Sequence, residues 1–167
     1  ILIKTNNIIN NKNNDIKNVT GGTLVQQKNL IKILHKNLLC VSKIKANKKI
    51  VEDLIFALKV CKHVKSNAIV LAKNKQTVGI GAGQMSRLDS TKISLIKRNQ
   101  TKFNMKKNFV CASDAFFPFT DNVKNLINNN CTAIVQPKGS INDQKIIDFV
   151  DKRKKTLYFI NFRLFKH

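Results

Sequence analysis

The sequence predicts an α/β fold in which a largely parallel or mixed sheet is covered by helices on both faces. Two patterns carry this reading. From Asn67 onward, short runs of apolar β-formers alternate with stretches of helical apolar spacing, the order expected when helices pack on both sides of a sheet. The chain has 167 residues, 43% of them hydrophobic, which suffices to bury one real core.

Residues 1–20 are polar after a short apolar start, and the Asn/Lys run from Asn10 to Asp15 holds too little apolar surface to order itself. This segment reads as a linker or truncated connection, and the start at Ile1 without a Met reads as a cut within a longer protein. Residues 21–167 then form one domain. Thr23 to Gln27 is a short strand or extended arm, and Leu30 to Leu39 is apolar without a clear period. Between Lys48 and Lys65, apolar residues fall at Ile50, Val51, Leu54, Ile55, Leu58, Cys61 and Val64. That spacing predicts a helix with a broad buried face. Asn47 is its expected cap, with Glu52 and Asp53 near the positive end of the dipole.

Ala68 to Ala72 reads as a buried strand, Lys73, Asn74 and Lys75 as a polar turn, and Gln76 to Ile80 as the returning strand. Gly79, Gly81 and Gly83 follow, and Ser86 with Asp89 marks the start of a helix reaching about Arg98. A glycine loop entering a helix N-terminus offers unpaired N–H groups and is a candidate ligand seat. An ordinary tight turn is the alternative, since GIGAG matches neither a dinucleotide fingerprint nor a P-loop. Beyond a Lys-rich loop at Gln100 to Asn108, the expected elements are a strand at Phe109 to Ala112, a helix at Asp121 to about Asn129, and a strand at Thr132 to Gln136. A helix opened by Ser140 and Asp143 and running to about Lys152 comes next, and the last strand is Thr156 to Ile160.

The formal charge is +22, a balance that ordinarily points to polyanions. The distribution argues against a dedicated nucleic-acid surface. There are 27 lysines and four arginines, the lysines are spread through every segment, and Lys, Asn and Ile are in excess together, as a compositional bias of the gene written onto permissive surface sites produces. A basic RNA-associated module would interleave aromatics with the charge, whereas the phenylalanines here gather in the uncharged AFFPF stretch. No apolar run approaches the roughly 18 residues of a membrane span. Cys40, Cys61, Cys111 and Cys131 lie far apart with no C-x-x-C pair, so they read as free thiols in a reducing compartment.

Four words in order, KSNAIV, GIGAGQMSR, SDAFFPF and RLFKH, resemble the C-terminal part of the AICAR transformylase domain of the bifunctional purine-biosynthesis family. The resemblance runs from Gly21-Gly22-Thr23-Leu24-Val25-Gln26 to the C-terminus. It implies a three-layer α/β/α, cytidine-deaminase-like subdomain. The H-x-E and P-C-x-x-C words of the zinc deaminases do not occur in the sequence, so no zinc is expected. The implied reaction moves a formyl group from 10-formyltetrahydrofolate to AICAR, in a cytoplasmic homodimer whose active sites form between subunits. Asn67, Arg87, Phe116 and Arg163 fall on the family's nucleotide-binding positions, and Leu88, Asp121, Ser140 and Ile141 on its folate-binding positions. Leu58 stands where the family usually has Trp, Thr120 where Arg is common, and Lys138 where a small residue is usual. The family's Lys-His general-base pair, its cyclohydrolase domain and one phosphate-binding arginine are expected upstream, in a missing N-terminal part. No residue of this chain is assigned as the catalytic base. An inactive remnant of the transformylase, or the RNA-associated module, is the alternative.

Arginine is scarce enough that each one invites a reason, because its planar fork grips phosphate or carboxylate as lysine cannot. Arg87 and Arg163 read as ligand contacts or ion pairs, and Arg98 and Arg153, near Lys-rich helix ends, as solvated surface. His35 and His63, in apolar segments, read as hydrogen-bonded structural residues. The terminal His167 matches a family ending in which this histidine reaches the active site, making it a possible contributor there.

Overall fold

The computed structural model describes residues 14–100 and 108–166. The chain divides at Ile31 into two compact units. In the first, β1 (Asp15–Val19) and β2 (Gly22–Gln26) pair antiparallel through a two-residue turn. Gly21 has φ +82 there, a conformation that costs glycine nothing. A strand therefore occupies part of the stretch read as linker. Its backbone is satisfied by hairpin pairing, without burial of its side chains.

The second unit is built on a six-stranded mixed sheet of order β3-β8-β7-β6-β4-β5. Its strands are β3 (Leu39–Cys40), β4 (Ile69–Lys73), β5 (Gln76–Gly81), β6 (Phe109–Ser113), β7 (Cys131–Pro137) and β8 (Thr156–Ile160), and its helices are α1 (Lys48–Cys61), α2 (Arg87–Gln100), α3 (Thr120–Asn128) and α4 (Asp143–Lys152). The pairs β6/β7 and β7/β8 are parallel, while β3/β8, β4/β6 and β4/β5 are antiparallel. The undecided stretch around Leu30 to Leu39 contains a short 3-10 turn at His35–Asn37 and leads into β3.

Side-chain alternation divides the core into two layers. Ala68, Val70, Ala72, Val110, Ala112, Ala133 and Val135 pack against Leu54, Ala57, Leu58 and Cys61 of α1. Ile69, Leu71, Cys111, Ile134 and Leu157 face Leu95 of α2, Val123 and Leu126 of α3, and Ile146 and Val150 of α4. The expected coverage of both faces is therefore present, with α1 on one side and three helices on the other.

Several expectations need correction. Helix α1 stops at Cys61 rather than Lys65, and Lys62 caps it. The Asn47 side chain accepts from Ile50 N as expected, but Asp53 does not serve the dipole. Its buried carboxylate accepts the N–H groups of Asn74 and Lys75, at 2.9 and 2.7 Å. Those two residues have φ of 51 and 56, which makes the β4–β5 connection a two-residue hairpin turn, and Asp53 staples it to α1. Arg98 is not solvated: it is 4% exposed and lies 4.5 Å from the Phe109 ring centroid, where the flat guanidinium stacks on the ring. His35 and His63 lie at the surface rather than in the core. Arg153 is exposed, as expected. The loop Gln100 to Asn108 falls mostly outside the described residues.

Two of the three glycines serve close packing. Gly79 and Gly81 lie inside β5, where a Cβ would come within 2.1 Å of Ser94 O and 1.8 Å of Ser90 O. They let the backbone of α2 rest directly on the strand. Gly83, at φ +66, forms the turn between them and α2.

Candidate functional site

Ligands of open α/β sheets bind beyond the carboxyl ends of the strands. In this sheet β5, β6, β7 and β8 run the same way, so the segments following them meet along one edge, together with the residues that enter β4 from the opposite direction. Asn67 precedes β4, Arg87 and Leu88 follow β5, Phe116 follows β6, Ser140 and Ile141 follow β7, and Arg163 follows β8. Asp121 opens α3.

Arg87 is the centre of one half. Its Nη2 donates to Asn67 Oδ1 at 2.9 Å and to Asp114 Oδ1 at 3.0 Å, and its Nη1 donates to the Phe116 carbonyl at 3.3 Å. The Arg87 side chain is 11% exposed and that of Asp114 is completely buried. The pair therefore acts in a low-dielectric setting, where hydrogen bonds are strong and a missing partner is costly. The Asn67 amide is used twice more, its Nδ2 donating to Gln84 O at 2.9 Å and Met85 O at 3.1 Å. Ser90 Oγ donates to Asn67 O at 2.8 Å. Ser86 opens α2 as expected, accepting from Asp89 N at 3.0 Å, so the helix that carries Arg87 is fixed at its first turn.

The chain's closing segment joins the same half. Leu164 N donates to Asp114 O at 2.9 Å, Ser66 N to Lys166 O at 3.0 Å, and Lys166 N to Ser66 Oγ at 3.1 Å. This stitching brings the Arg163 guanidinium 5.3 Å from the Phe116 ring centroid and 5.7 Å from that of Phe165. Asn67, Arg87, Phe116 and Arg163 are thus joined by direct contacts. Asp114 and Phe165 were missed by sequence reasoning as members of this group. The signal for Asp114 was present in its place beside the phenylalanine cluster, but only the fold reveals Arg87 as its partner. His167 lies outside the described residues.

The other half is looser. Asp121 is exposed in the first turn of α3, and Ile141 is 99% exposed. Ser140 does not cap α4. Its Oγ accepts from Asn142 N at 3.2 Å, and the helix begins at Asp143, whose carboxylate accepts from Gly139 N at 2.7 Å. The Ser-x-x-Asp pattern therefore closes a turn before the helix. Asn142 Nδ2 donates to Pro118 O at 2.6 Å, tying this loop to the phenylalanine loop. Leu88, beside Arg87 on α2, is half-buried.

Other reactive groups lie apart from this edge. Lys62, at the end of α1, is partly buried, which lowers its ammonium pKa, and His63 is exposed. Cys61, Cys111 and Cys131 are buried. Burial raises the thiol pKa of Cys61 and Cys111 well above the usual value and that of Cys131 to about 12, so these sulfurs stay protonated and unreactive.

Residues 1–97 match the family described as the AICARFT/IMPCHase bienzyme. Over 153 residues, 92% of the chain, the sequence is 44% identical to the bifunctional purine biosynthesis protein PurH of Aquifex aeolicus (strain VF5). The chain spans 30% of the length of that relative.

Proposed function

The chain belongs to the AICARFT/IMPCHase bienzyme family, and from that premise we propose that it is the C-terminal, substrate- and folate-binding part of an enzyme that transfers a formyl group from 10-formyltetrahydrofolate to AICAR. Its three layers correspond in this reading to a cytidine-deaminase-like subdomain without the deaminase zinc. The enzyme works in the cytoplasm as a homodimer, and the IMP cyclohydrolase domain and the Lys-His base belong to the part upstream.

The observation that carries the reading is the contact chain Asn67–Arg87–Phe116–Arg163 along the sheet edge. In formyl transfer the amine nitrogen of AICAR bonds to the formyl carbon, the bond from that carbon to the folate nitrogen breaks, and the amine proton ends on that nitrogen. The amine is deactivated by the adjacent carboxamide, so alignment supplies a large share of the rate. Arg163 presents a planar fork to the ribonucleotide phosphate, and the Phe116 ring offers a stacking face for the flat base. Arg87 has most of its donors committed to Asn67, Asp114 and Phe116 O. It thus acts on the substrate chiefly by holding those groups still, with its remaining Nη1 hydrogen available to a ligand carbonyl. On the folate side, Asp121 accepts hydrogen bonds from the pterin, Ser140 donates to it, and Leu88 and Ile141 provide apolar cover.

Calorimetric titration of the chain with AICAR and with its dephosphorylated riboside tests this. Binding of the nucleotide with clearly weaker binding of the riboside is expected, and binding of neither overturns the proposal. Formyl transfer by the chain alone is expected to be undetectable, and measurable turnover would refute the placement of the base upstream.

A further inference from the structure

Gln136 is a polar side chain with 0% exposure near the end of β7, in the otherwise largely apolar run Cys131–Pro137. A buried amide at such a place needs all its partners, and an apolar residue of the same size avoids that requirement. The partners it has are informative. Its Oε1 accepts from Phe117 N at 3.3 Å, and its Nε2 donates to Asp143 Oδ1 at 3.5 Å. The other oxygen of Asp143 accepts from Gly139 N at 2.7 Å. A second path runs alongside, from Asn142 Nδ2 to Pro118 O at 2.6 Å. The loop after β6, which carries Phe116, and the loop after β7, which carries Ser140 and Ile141, are therefore fastened to each other twice through side chains that touch neither ligand position.

We propose that Gln136, with Asp143 and Asn142, makes these two loops one mechanical unit, so that occupancy of the nucleotide half strengthens binding at the folate half. The inference rests on the function proposed above and adds to it a coupling between the two ligands. A nucleotide stacked on Phe116 holds the backbone of Phe117 and Pro118. Through Gln136 and Asn142 that restraint reaches Gly139 and Ser140, so the second ligand orders a loop already partly ordered and meets a smaller entropy cost. By linkage the effect is reciprocal.

The test is a pair of titrations of the chain with tetrahydrofolate, alone and with saturating AICAR. The wild type is expected to bind folate about fivefold to tenfold more tightly with the nucleotide present, within the usual range of coupling between sites. Gln136→Met keeps the volume and removes both hydrogen bonds. It is expected to reduce that ratio to about twofold or less while nucleotide affinity alone changes little. Asn142→Ala, at a half-buried position that does not threaten the core, is expected to lower the ratio partway and serves if Gln136→Met does not fold. A purely structural role for Gln136 predicts a lower melting temperature with the ratio intact, and that result overturns the inference. A wild-type ratio of one overturns it as well. If the wild type binds neither ligand, the proposed function falls and the inference falls with it.

Discussion

The two halves of the site are held by different means. The half around Arg87 is tied by a buried ion pair, by reciprocal hydrogen bonds from the chain's closing segment, and by an α2 backbone resting on two strand glycines. The half around Ser140 presents exposed side chains on a turn fastened at a few points. The buried Arg87–Asp114–Asn67 framework of the first half is in place before any ligand arrives, and a change in that framework is felt as stability. The second has little to lose in the free protein, and a change there is felt in affinity.

Removing Arg87 is the hardest test of that contrast. Arg87→Ala leaves the Asp114 carboxylate buried without its cation and is expected to cost about 3–5 kcal/mol of stability, the scale for breaking a buried pair from one side. Urea unfolding measures it, and a loss under about 1 kcal/mol would mean that the pair does not support the fold. Gly81→Ala comes next. Its Cβ would sit 1.8 Å from the Ser90 carbonyl oxygen, so α2 must move away from β5. The expected loss is about 1–3 kcal/mol, the range for overpacked cores, and a melting temperature within a degree of the wild type would contradict the close approach.

These two residues also mark how far the sequence could be read. The elements from Lys48 to Ile160 were legible because apolar periodicity reports burial directly: β8 was expected at its observed bounds, and α2 within two residues. The glycines were visible but ambiguous, since a glycine needed for close packing and one needed for a ligand look alike until the partner helix is in place. Asp53, Asp114, Arg98 and Gln136 were illegible for a common reason. A buried polar group is tolerated where the fold brings partners to it, and for each of these a contact that holds it comes from another element: Asn74 for Asp53, Arg87 for Asp114, Phe109 for Arg98 and Phe117 for Gln136. Composition predicted Arg98 to be solvated because its neighbours are polar. It is buried because α2 turns that position onto Phe109.

Arg163 sharpens the comparison from the side proposed for the nucleotide, because it is exposed and its guanidinium stands over the Phe116 and Phe165 rings. Arg163→Lys keeps the charge and loses the fork, and is expected to weaken nucleotide binding by about 1–3 kcal/mol, the scale of charge-assisted hydrogen bonds. Folate affinity and melting temperature should hardly change. Arg153→Lys, at an exposed site beside Phe149, is the matched control and should be silent. Equal nucleotide affinity in wild type and Arg163→Lys would remove Arg163 from the phosphate site.

Ile141 offers the smallest effect and the cleanest reading of the looser half. With 99% exposure its side chain contributes almost nothing to the folded core, so Ile141→Ala should change stability by less than about 0.5 kcal/mol, as surface substitutions do. A large apolar side chain held in water on a turn gains only when something covers it. If the pterin does so even partly, removing three carbons should weaken folate binding by about 1 kcal/mol, from the area that is no longer buried, while nucleotide binding stays as it was. Ile96, half exposed on the outer face of α2, gives the comparison: Ile96→Ala removes the same atoms away from the loops and should leave both affinities unchanged. Equal folate binding in the Ile141 variant and the wild type would place the folate elsewhere on the edge and break the division between a prepared half and a ligand-ordered one.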